Sequence, residues 1–190
     1  MLRTDNLVQW QLIADEVDAI YPWFTHKCLD VIKKWDLKDK RVLEFGGGRS
    51  TRWWRKRAAW VTTIDTNLEW IDRTIEDCAE GSALNGVIIP KVINEGDQSR
   101  KEEYVNAGDE YAPYDIAVDD GILRFEVIEK ALTMPRPLTL IIDNWQQAWI
   151  FMCPAAVELL KDFEQDIYIQ DDHTDNDGVN KWKTAIFYLK

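Results

Sequence analysis

The segment EFGGGRST, residues 44–51, carries the chain's densest group of chemically useful residues, and it joins an apolar run to a helical one. Gly46, Gly47 and Gly48 permit a tight turn and let a ligand approach the backbone. The helix that follows, opened by Ser50 or Thr51, offers unpaired N–H groups to a negative group. The next apolar run ends at Asp65, about twenty residues on, where a carboxylate in a switch-point crevice would accept hydrogen bonds from a ribose diol. Two familiar phosphate-binding patterns fail on residues. Gly46 and Gly48 fit G-x-G-x-x-G, but Thr51 replaces its last glycine, and Gly48-Arg49-Ser50 lacks the lysine of a Walker loop.

Other acids fall at the ends of apolar runs: Glu44, Asp65, Asp97, Asp119 and Asp120 are expected on one side of a sheet. Asp120, Asp143 and Asn144 form a second set, placed at the carboxyl ends of neighbouring central strands. Carboxylate and amide oxygens suit Mg²⁺ or Ca²⁺ with water completing the shell; capping or cofactor contacts account for the same residues equally simply. NWQQAWIFMC carries Trp145, Trp149, Phe151 and Met152, either a lid over an acceptor or ordinary packing, and Trp23 is a second candidate cover. RWWRKR (52–57) mixes cations and aromatics; helical spacing turns its aromatics inward and leaves Arg52, Arg55 and Lys56 on a solvated face. DHTDNDG (172–178) resembles part of a calcium loop, but Thr184 stands where the closing Glu belongs, so it is read as a turn. His26 and His173 lie in no triad-like context and no G-x-S-x-G elbow is present, which removes support for hydrolase chemistry.

These residues need a scaffold, and the hydrophobic pattern describes one. Leu7, Trp10, Leu12, Ile13, Val17 and Ile20 share a helix face; Pro22 ends that helix, and Thr25 is placed to cap a second one running to about Trp35. Strands are expected at 41–45, 60–65, 87–93, 114–119 and 138–143, with helices at 50–58, 67–80, 123–132 and 154–163 between them. Apolar strands alternating with helices describe a parallel sheet covered on both faces. Pro90 assigns the third strand to an edge. Runs at 166–172 and 181–190 flank an Asp/Asn/Gly-rich connection and form an antiparallel hairpin. The expected organisation is one domain over 1–190, with N-terminal helices in 1–38 and the sheet in 39–190.

Composition narrows the function. With 190 residues, 46% apolar, the chain can bury a core without disulfides. Its 23 basic and 34 acidic residues give net −11, which argues against nucleic acid as main partner, since a duplex binder needs a cationic surface. Cys28, Cys78 and Cys153 have no C-x-x-C spacing and are expected as buried thiols in a reducing compartment. The first residues carry acids through their apolar positions and the longest apolar run is about half a membrane span, so a soluble, cytoplasmic protein is expected.

VLEFGGGRST resembles motif I of the class I, Rossmann-like S-adenosylmethionine (SAM)-dependent methyltransferases: an acid, x, Gly, x, Gly, x, then Ser/Thr. The resemblance runs from about residue 25 to the end. It implies a Rossmann-like three-layer α/β sandwich, with a mostly parallel central sheet and the antiparallel hairpin at its C-terminal end. It also implies that Glu44, Gly46 and Gly48 surround the methionine moiety, with Gly47, Ser50 and Thr51 in the same cofactor-binding set. Asp65 would then hold the ribose, Asp97 the adenine amino group, and Asp119 would join the cofactor site. YDIAVDDG, followed by Arg124, is similar to the fourth-strand segment, which aligns Asp120 as the candidate base. In catechol-type relatives, Asp120, Asp143 and Asn144 would bind Mg²⁺ and the acceptor. SAM carries a sulfonium and an ammonium, so a carboxylate-rich rim suits it. The expected activity is methyl transfer to a small-molecule O- or N-nucleophile, with the oligomeric state open and a homodimer the one assembly considered. A non-catalytic SAM- or nucleoside-binding or protein-interaction module, or an aminopropyltransferase, are the rivals.

Overall fold

The computed structural model describes residues 21–79, 85–93, 98–146, 153–174 and 181–190. Their elements are α1 (His26–Ile32), β1 (Arg41–Phe45), α2 (Arg49–Arg55), β2 (Trp60–Asp65), α3 (Leu68–Ala79), β3 (Gly86–Pro90), α4 (Gln98–Val105), β4 (Ile116–Asp119), α5 (Arg124–Thr133), β5 (Leu138–Ile142), α6 (Cys153–Leu160), β6 (Glu164–Thr174) and β7 (Lys181–Leu189). One seven-stranded sheet has the order β3-β2-β1-β4-β5-β7-β6. The first five strands pair in parallel, and β7 runs antiparallel to both β5 and β6.

The inner strands are nearly continuous apolar runs because helices cover both faces. On one face Leu43, Phe45, Ala117, Leu140, Ile142 and Phe187 pack with Tyr104 of α4, Val127 and Ile128 of α5, and Leu160 of α6. On the other, Val42, Val61, Val118, Ile141 and Ile186 pack with Cys28, Leu29 and Ile32 of α1 and with Trp53 and Trp54 of α2. The aromatics of RWWRKR are therefore core, as helical spacing predicts. The chain reverses direction in the sheet between β1, which leads to β2, and β4. That places a crevice at the carboxyl ends of β1 and β4.

Pro90 is the last residue of the edge strand β3, where its missing N–H costs nothing. Other expectations are corrected. Helix α4 was not expected: QSRKEEYV has almost no apolar periodicity, and it is held largely by Tyr104, which is fully buried. Thr25 precedes α1 but makes no side-chain cap; its backbone N–H donates to Thr184 Oγ1 at 2.9 Å instead. Helix α1 stops at Ile32, short of Trp35, and α6 stops at Leu160, so that β6 starts at Glu164. The helix expected before Pro22 lies outside the described residues. Among the described residues, no helix is long and apolar enough to cross a membrane.

Candidate active site

The glycine turn after β1 is built by close backbone approach. Gly46 has φ +91°, and a Cβ there would lie 2.5 Å from the Asp120 carbonyl oxygen, so the ends of β1 and β4 touch. Gly121 closes the same contact from the other strand, where a Cβ would meet Tyr104 Oη at 2.6 Å and the Phe45 carbonyl carbon at 3.0 Å. At Gly48 the indole of Trp70 fills the space a Cβ would enter, at 3.1–3.4 Å. The Trp70 indole N–H also donates to the Gly47 carbonyl.

Two N–H groups of the turn point inward. Gly47 donates to Asp65 Oδ2 at 2.7 Å, and Gly48 donates to Thr51 Oγ1 at 3.0 Å. Asp65 also accepts the Asn67 N–H at 2.8 Å. The expected cradle for a negative group is thus partly spent on side chains of the protein itself. Asp65 keeps unused lone pairs on both oxygens, because each accepts one of these bonds.

Beneath the turn, Glu44 is fully buried. Its register partner on β2 is Thr63, and the hydroxyls of Thr51 and Thr63 donate to Oε2 at 2.5 and 2.8 Å. Oε1 has no hydrogen-bond partner. Burial pushes the carboxyl up to about 7, against the opposing pull of the Ser50, Thr51 and Thr63 hydroxyls. At the end of β4, Asp119 is also fully buried and neither carboxylate oxygen is hydrogen-bonded. Burial raises it to about 7 as well, with Arg124 opposing and Asp120 reinforcing the shift. Buried polar groups are normally paired, so three orphaned carboxylate oxygens at the ends of β1 and β4, one on the α2 face of the sheet and two on the α4 face, call for an explanation.

Arg124, at the start of α5, holds the ends of β4 and β5 together. One terminal nitrogen donates to the carbonyls of Asp119, at 3.2 Å, and of Asp143. The other donates to Asp120 Oδ1 at 3.2 Å and to Asn144 Oδ1 at 3.4 Å. Asp120 remains partly open, with 28% of its side chain exposed. Burial raises its pKa and Arg124 lowers it. Asp143 faces elsewhere, accepting from Thr184 Oγ1 at 2.7 Å and Trp182 Nε1 at 3.1 Å beneath the sheet.

The structure does not bring the side chains of Asp120, Asp143 and Asn144 to one point. A guanidinium stands between Asp120 and Asn144, and the Asp143 carboxylate points to β7, so the three do not fit Mg²⁺. Among the described residues, no group of three His, Cys, Asp or Glu side chains is placed to hold a metal. Trp145 is core, edge-on to Phe187 at a centroid distance of 5.2 Å, and is not a lid. Trp149, Phe151, Met152 and Asp97 lie outside the described residues. Trp23 is 41% exposed, two residues before the Thr25–Thr184–Asp143 hydrogen-bond chain.

The sequence reading missed Thr63, Trp70, Thr184 and the central role of Arg124. Thr63 was accessible in principle, since β1–β2 register pairs it with Glu44; the others depend on packing between distant segments.

No protein-family model and no curated protein matches this sequence. Solved structures do match. An rRNA methylase from Streptococcus thermophilus superposes with TM-score 0.60 at 14% identity, covering 87% of this chain and 96% of its own. The precorrin 8w decarboxylase of Methanobacterium thermoautotrophicum gives 0.58 at 19% identity, covering 86% and 88%. The N-methyltransferase NodS of Bradyrhizobium japonicum WM9, complexed with S-adenosyl-L-homocysteine, gives 0.51 at 12% identity, covering 79% and 78%. The named activities differ, and at these identities the likeness is one of fold. The chain has the Rossmann-like fold of the class I methyltransferases.

Proposed function

We propose that this protein is a SAM-dependent methyltransferase acting on a small-molecule O- or N-nucleophile. The observation that carries the reading is the set of orphaned oxygens, Glu44 Oε1 and both of Asp119, buried at the ends of β1 and β4 beside a glycine turn. A buried carboxylate without a partner is costly, and a cationic ligand repays that cost. SAM fits this donor chemistry through its ammonium and sulfonium, and Asp65 has acceptor capacity left for ribose hydroxyls. Of the three matching structures described, two are named as methyl-transferring proteins, and one of these contains S-adenosyl-L-homocysteine.

When bound, SAM supplies an electrophilic methyl group. The chain's own residues do the rest. Gly46 lets the ends of β1 and β4 touch, while Glu44 and Asp119, on opposite faces of the sheet, place negative charge at those two strand ends. The half-open Asp120 accepts the proton lost by the acceptor. Methyl transfer in line with a leaving thioether needs alignment above all, so proximity accounts for much of the rate. Net −11 favours a small acceptor over RNA.

Calorimetry with SAM, S-adenosyl-L-homocysteine and decarboxylated SAM tests the reading. Binding of the first two supports it. Preference for decarboxylated SAM selects aminopropyl transfer, and no binding of any of the three selects a protein-interaction module.

A further inference from the structure

The partners of Arg124 are four oxygens: the carbonyls of Asp119 and Asp143, Asp120 Oδ1 and Asn144 Oδ1. Two carbonyls, a carboxylate and an amide make a donor set of the kind a hard divalent cation takes. The backbone on both sides is unusual. Leu123, just before Arg124, has φ +54°, and Asn144, just after Asp143, has φ +52°. A left-handed leucine is strained and persists only where its surroundings hold it. Here it aims α5 so that its first side chain turns back onto the ends of β4 and β5. The Arg124 side chain is only 12% exposed, and its terminal nitrogens are committed to protein oxygens. That leaves it unsuited to binding substrate directly.

The geometry points to Arg124 as the resident cation of this oxygen cage: a positioning residue that fixes Asp120 at the crevice and excludes a divalent ion from the β4–β5 end. Lysine is not an equivalent. It brings the charge but not the planar fork that reaches both strand ends at once. The proposal rests on the methyltransferase reading only for the task of Asp120; the cage itself is tested without an acceptor or SAM.

Two measurements decide it. The first uses the wild-type protein alone. NMR of the Arg124 guanidinium should show separately resolved terminal N–H protons, as expected for a group held at both nitrogens, and Asp120→Ala should collapse them. A freely rotating Arg124 in the wild type overturns the clamp. The second is a Mn²⁺ titration followed by electron paramagnetic resonance. The wild type should show no stoichiometric site. Arg124→Ala should gain one, with Kd on the order of 10⁻⁴ M, and Asp120→Asn in that background should remove it. Arg124→Lys should keep Mn²⁺ out while melting lower than wild type. A one-to-one Mn²⁺ site in the wild type that Asp120→Asn abolishes overturns the exclusion of a metal. So does a folded Arg124→Ala that gains none. If Arg124→Ala does not fold, the wild-type titration and the NMR signature still decide. Calorimetry with S-adenosyl-L-homocysteine on the wild type reads the proposed function separately, so a failure there leaves the cage test intact.

Discussion

Replacing Glu44 with Gln should flatten the pH dependence of stability while weakening cofactor binding. The Glu44 carboxyl rises on folding from 4.5 to about 7 because it is fully buried. Below pH 4.5 it is protonated in both states and costs nothing. As pH rises from 4.5 to 7 the unfolded chain ionises first, so stability is lost across that window and levels off above it. The loss above pH 7 amounts to about 3 kcal/mol. Glutamine removes it, and its carbonyl can still accept from Thr51 and Thr63, which now reach Oε2. Its amide, however, occupies the position of the partnerless Oε1 and leaves a buried donor unpaired, at about 1–3 kcal/mol. The net gain at pH 8 is therefore small, and the diagnostic quantity is the slope. Chemical denaturation at pH 5 and pH 8 should show wild type losing about 2.5 kcal/mol more than Glu44→Gln over that interval. SAM affinity at pH 8 should fall about 10- to 100-fold, the cost of losing a charge-assisted contact. Equal slopes in the two proteins would refute the claim that Glu44 is a desolvated carboxyl. Unchanged affinity with an altered slope would remove it from the cofactor site.

Three further outcomes follow from the same geometry. Gly46→Ala places a methyl 2.5 Å from the Asp120 carbonyl at φ +91°, so the β1 and β4 ends must part; the melting temperature should drop by roughly 6–12 °C, and a drop below about 2 °C would show that the contact yields easily. Asp65→Asn turns one of its two acceptors into a donor facing either the Gly47 or the Asn67 N–H, which should cost about 2 kcal/mol and lower SAM affinity together; normal binding in calorimetry removes Asp65 from the ribose role. Thr184→Val leaves both the Thr25 N–H and Asp143 Oδ1 short of a buried partner, for a loss of about 2–4 kcal/mol by denaturant titration, and an unchanged midpoint would mean that Thr184 does not anchor the segment carrying Trp23.

The alternation of apolar strands with helices, the edge position of Pro90 and the antiparallel β6–β7 ending were all readable along the chain, because each depends on local periodicity or on a single residue's backbone chemistry. The glycine turn and the acids at the strand ends were readable for the same reason: parallel strands bring their carboxyl ends to one rim whatever the side chains do. Which way each acid turns was not readable. Strand parity puts Asp143 under the sheet, where Trp182 and Thr184, about forty residues away, supply its partners. It leaves Glu44 and Asp119 buried with oxygens unpaired. Arg124 stood next to the Asp-Gly segment in the sequence, yet its role depends on a left-handed Leu123 and on carbonyls from two strands, neither of which side-chain types reveal. Helix α4 was hidden because the burial of Tyr104 against Phe45, at 5.4 Å between ring centroids, replaces the apolar periodicity that would have announced it. The sequence alone therefore determined the layers and the rim. Tertiary packing decided which carboxylates carry unpaired charge and which are spent on holding the fold, because desolvation and hydrogen-bond partners come from segments distant along the chain.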